Sequence, residues 1–187
     1  MALEKTFRKL SFSLHKLHDA LNALQVTVGD KPPNDEAAVA DGVGNATLDL
    51  IGGLHEARKS ALRACKAIEH PPDLDCARRE LARCQSQFHR IEQQFASELV
   101  SYDKLSELSR LGRSRRHEWL PWGKSVRLGI EQCREPLDHS SRALAECWQE
   151  LAERIGAVNI SMKATNVGQN ITVPKSKLEE FEVERVS

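Results

Sequence analysis

Residues 3–28 read LEKTFRKLSFSLHKLHDALNALQVTV. Within them Leu3, Phe7, Leu10, Leu14, Leu17, Leu21, Leu24 and Val28 follow one another at steps of four and three. Side chains so spaced share one face of an α-helix, and an unbroken apolar seam of this kind marks a helix packed lengthwise on other helices. Gly29 and then Pro32-Pro33-Asn34 close the segment, because glycine suits the position just past a helix and proline cannot continue one.

The same reading extends outward from this helix. Val43, Ala46, Leu50, Leu54, Ala57, Ala61, Ala64 and Ile68 repeat the seam with smaller residues, which predicts close approach to neighbouring helices. Gly52-Gly53 lies in its middle. Each interior glycine costs about 0.5–1 kcal/mol against alanine, so the pair is read as a point of tight packing or a kink. His70-Pro71-Pro72-Asp73 is a reversal in which Asp73 caps the next helix.

A third seam runs through Leu74, Ala77, Leu81, Cys84, Phe88, Ile91, Phe95, Leu99, Tyr102, Leu105 and Leu108. A fourth passes through Val126, Ile130, Cys133, Leu137, Ser140, Leu144, Cys147, Leu151 and Ile155 and ends at Gly156. Pro136 falls inside the fourth, yet the seam keeps its phase on both sides, so one kinked helix is expected.

Short connections make successive helices antiparallel, and the expected fold is all-α: an antiparallel four-helix bundle over residues 1–157 with long third and fourth helices. At 1.5 Å per residue the last two helices outrun the first two by about 15 Å. From Val158 the apolar period changes to two, through Val158, Ile160 and Met162 and again through Ile171 and Val173. Residues 158–187 are therefore expected to form an extended or β-like tail, disordered in part, that needs a sheet edge or groove to lie on.

Bulk properties narrow the function. Lys plus Arg equal Asp plus Glu at 27 each, so no global field draws the chain to nucleic acid or anionic lipid. No apolar run approaches the length of a membrane span, and a cytoplasmic protein is expected. Five cysteines without a close pair suit neither a disulfide framework nor a zinc site. Cys84, Cys133 and Cys147 occupy seam positions and are read as core. His15 and His18 lie beside a seam without the inward carboxylates of a di-iron bundle, so no metal ligands are assigned and no cofactor is expected. No phosphate-binding glycine loop and no nucleophile elbow occurs.

The densest local feature is the stretch 110–127. Between residues 112 and 127 five Lys or Arg stand against one Glu, and two of the three tryptophans, Trp119 and Trp122, lie among them. Read plainly, the tryptophans plug the end of the bundle and the arginines solvate a loop. Read functionally, the projecting hairpin binds a protein partner or a second copy through Tyr102, Leu105, Leu108, Arg113, Arg115, Arg116, Trp119 and Trp122, and Val158, Ile160, Ile171 and Val173 add strands to it.

A structural or protein-interaction role is the resulting expectation, with no catalytic residues. The alternative is an RNA-acting module: either the basic tip binds nucleic acid, or an Arg and a His a few residues apart act as in HEPN-type nucleases. Arg134 with His139 beside Pro136 is the best placed such pair; Arg83 with His89 meets the four-to-six-residue spacing and Arg63 with His70 comes near it.

Overall fold

The computed structural model describes residues 2–33, 37–69, 71–113 and 117–165, with the backbone alone at Ala2, Ala37 and 159–165. Every regular element among them is helical: α1 (Ala2–Gly29), α2 (Ala37–Ala67), α3 (Leu74–Gln94), a π-helical turn (Phe95–Leu99), α4 (Tyr102–Leu111) and α5 (Trp119–Thr165). Residues 1–152 form one unit and 153–187 a second, of which 153–165 continue α5. No helix is long and apolar enough to cross a membrane among the described residues.

The seams become the core. On α1 every seam residue from Phe7 to Val28 is at most 3 % exposed. The small residues of α2 are buried too, and of the Gly52-Gly53 pair a Cβ on Gly53 would stand in contact, 3.4 Å from Ile91 Cγ1, whereas one on Gly52 would meet nothing within 4 Å. Asp73 caps α3 as expected, its side chain accepting from the Cys76 amide at 2.8 Å.

Individual contacts set the helix pairings. Arg58 with His15, and Gly44 with Val28, run α2 antiparallel to α1. Arg63 with Glu80, and Gly53 with Ile91, do the same for α3 against α2. On the other flank Lys9 meets Glu146, and Gly129 lies against Leu24, so α5 is antiparallel to α1. Phe88 and Leu144 line one shared crevice between α3 and α5.

Two expectations need correction. The third seam is two helices, not one. The Val100 amide reaches back to the Phe95 carbonyl at 3.0 Å, a turn one residue wider than α-helical, and Ser101 then restarts the chain as N-cap of α4, accepting from the Lys104 amide. The extra residue rotates the phase. Tyr102 is turned to solvent, Leu105 is half-buried, and Leu108 and Leu111 enter the core. Lys104 lies where a side chain on Gly42 would touch it, so α4 covers the start of α2.

The second correction concerns Val158, Ile160 and Met162, which belong to α5 and not to a strand. Alternation over so few residues is a weak signal, and helical hydrogen bonds already running through 119–157 extend at the cost of one residue's ordering per bond. Gly156 accordingly does not cap the helix. Residues 166–187, with Ile171 and Val173, lie outside the described residues.

Candidate functional site

α5 runs unbroken through Pro136. Proline has no N–H to give to the carbonyl four residues earlier, so a helix that continues through it does so with one bond missing. Ser140, wholly buried, donates its hydroxyl to the Pro136 carbonyl at 2.8 Å, a back-bond that this residue type makes inside helices. Opposite this turn, α1 presents Lys9, Phe12, Ser13 and Lys16. Between the two helices opens a groove of about 580 Å³, completed by Glu135, His139, Arg142 and Glu146.

The α1 wall follows from the offset of those residues from the seam. Phe12 sits between Leu10 and Leu14 in sequence, but its side chain leaves the helix on the solvent side and is 60 % exposed. Lys16 Nζ lies 4.9 Å from the centre of the Phe12 ring, a cation–π contact. Ser13 is buried at the groove floor with its hydroxyl donated to the Leu10 carbonyl at 2.9 Å. Lys9 is held by both oxygens of Glu146, at 2.8 and 2.6 Å. The lining is therefore amphipathic: an aromatic ring and a proline ring among charged side chains.

Sequence reasoning reached one side of this site. It singled out Pro136 and His139, and His139 does line the groove. Arg134 is not among the lining residues, and its Nε pairs with Glu131 at 3.0 Å. Phe12 was missed, although a large aromatic residue off an otherwise regular seam is a readable signal.

Of the residues expected at a partner surface, Leu108, Trp119 and Trp122 are buried in the chain's own core, which corrects their assignment to an exposed tip. The two indole rings meet edge to face, 5.2 Å apart and 81° between planes. α5 starts tight against α4, for a Cβ on Gly123 would stand 3.2 Å from the Leu108 carbonyl. Tyr102, 85 % exposed, and Arg113 remain on the surface, and Leu105 is half-buried. Arg115 and Arg116 lie outside the described residues. Val158 is partly exposed, and of Ile160 only the backbone is described.

A second polar cluster joins α1 to α2. Arg58 donates to His15 Nδ1 at 3.1 Å, His15 Nε2 lies 3.5 Å from Asp19, and His18 Nδ1 is 3.0 Å from the Asn22 amide. Burial and then the Arg58 charge push the His18 pKa below its ordinary value; Asp19 opposes this and His15 and His55 add to it. No grouping of three or more His, Cys, Asp or Glu has the geometry of a metal site among the described residues. Cys84, Cys133 and Cys147 are buried, and burial lifts each thiol to about 12, far from the thiolate that a nucleophile requires.

Comparison of the chain with protein-family models, with curated proteins and with solved structures finds no match.

Proposed function

We propose that this chain is a protein-interaction module: a four-helix bundle, closed by the pairing of α5 with both α1 and α3, that receives a segment of a partner protein in the α1/α5 groove at Pro136. The observation that carries this reading is the groove itself. Its α1 wall carries a phenylalanine 60 % exposed, on a helix whose seam from Phe7 to Val28 is at most 3 % exposed. An amphipathic segment laid along a groove between two helices is a recurrent mode of recognition, in which an apolar anchor supplies affinity and a charged rim sets register.

Photo-crosslinking tests it. A benzophenone side chain at position 12 is expected to capture a partner polypeptide in cell extract, and the same group at Asp75, on the exposed first turn of α3, to capture none. Equal labelling from both positions, or none from position 12, refutes the reading.

A further inference from the structure

We infer that the partner segment taken by the α1/α5 groove is acidic as well as apolar, an inference that rests on the interaction reading above and adds the charge of the occupant. The rim decides it. Lys9 is neutralised within the chain by both oxygens of Glu146. That leaves Lys16 and Arg142 as full cations, His139 as a further donor, and Glu135 as the carboxylate of the lining not already paired with Lys9. Neither Arg142 nor Glu135 makes an ion pair among the described residues, and Lys16 rests on the Phe12 ring.

An incoming carboxylate would meet the Arg142 guanidinium, whose fork of donors matches two oxygens, while a neighbouring apolar side chain covers Phe12 and Pro136. Lys16 would keep its place over the ring and present its charge to a second carboxylate. A basic segment would face Lys16 and Arg142 with only Glu135 to offset them. Anionic lipid offers the same charge, but a bilayer surface is flat, and the groove is concave between two helix ridges. A narrow peptide segment reaches its floor.

The test uses the full chain and a fluorescein-labelled peptide of repeating Glu-Leu-Phe-Glu, read by fluorescence anisotropy. Binding is expected, weakened by added salt and weakened about tenfold or more by Arg142→Glu or by Phe12→Asp. Both positions are exposed, and unchanged helical circular dichroism checks that each variant is folded. Arg142→Glu together with Lys16→Glu is expected to reverse the preference and bind the matching Lys-Leu-Phe-Lys peptide.

A Gln-Leu-Phe-Gln peptide that binds the natural chain as tightly as the acidic one, still through Phe12, would overturn the charge assignment and leave the interaction reading standing. Absence of binding by the acidic peptide overturns the inference, whereas the crosslink at position 12 independently decides the interaction reading. Sedimentation with phosphatidylserine vesicles that requires Phe12 and Arg142, without peptide binding, overturns it in favour of a lipid surface.

Discussion

Pro136→Ala is expected to make the protein more stable and worse at holding a partner. A proline in a helix interior costs about 3 kcal/mol against alanine, because the bond to the Gln132 carbonyl is lost and the ring crowds that carbonyl. Two terms reduce the gain from its removal. Proline restricts the unfolded chain, an advantage of about 0.4–1 kcal/mol that alanine gives up. The half-buried ring also contributes contacts worth about 0.8 kcal/mol, the value of one buried methylene.

The balance is a net stabilisation of about 1–2 kcal/mol, or a rise in Tm of about 2–8 °C for a chain of this size. Urea denaturation followed by circular dichroism measures it, with an unchanged slope showing that the same surface unfolds. Peptide binding in the groove should weaken in the same variant, since Pro136 forms part of its floor. A variant less stable than the natural chain at unchanged slope would refute the reasoning, because it would mean that the missing bond is already replaced locally.

Other expectations follow from single contacts. A Cβ at Gly129 would lie 2.9 Å from Leu24 Cδ1, the free end of a side chain, so Gly129→Ala should stay within about 1 kcal/mol of the natural chain while Gly129→Leu should cost about 1–3 kcal/mol by overpacking α1 against α5. Thermal melts of both check this, and a neutral Gly129→Leu would deny the close approach. The folded His18 pKa lies below its ordinary 6.5, so the unfolded chain takes up that proton first. Its contribution is complete above 6.5 and is lost as the pH falls through the folded value; stability should therefore decline on acidification, less steeply in His18→Gln, and an identical pH slope in that variant would count against it. Towards a water-soluble disulfide reagent, Cys76 should react first, Cys65 more slowly because burial raises its pKa, and Cys84, Cys133 and Cys147 only on unfolding. Mass spectrometry of the labelled peptides reads that order.

Much of the helical content was legible because a seam repeats its message. Eight positions on α1 agree on one face, and any one of them could change without altering the period. The seam positions of α5 on either side of Pro136 agree in the same way, and the helix is continuous there. Where the message was not repeated, the reading failed. The turn at Phe95–Leu99 shifts the phase by a single residue, and a sequence that carries apolar groups on both phases hides such a shift. Tyr102, read as a seam residue, is for that reason on the surface, and Leu111 is in the core. At Val158, Ile160 and Met162 three alternating residues were too few to outweigh the helix running into them.

The candidate site divides along the same line. Pro136 and His139 are local features of one helix, visible in the chain as written, as is the concentration of tryptophan and arginine around residue 119. That Trp119 and Trp122 are buried depends on the elements packed around the start of α5. That Phe12 borders a groove depends on α5, more than a hundred residues away in the chain, arriving antiparallel to α1. The sequence by itself determined most of the helical segments and the apolar face wherever a seam repeats, because those properties arise from neighbours three and four positions apart. Only the tertiary structure decided which polar faces meet across a groove, because a solvent-facing side chain leaves no periodic trace of the helix that comes to lie beside it.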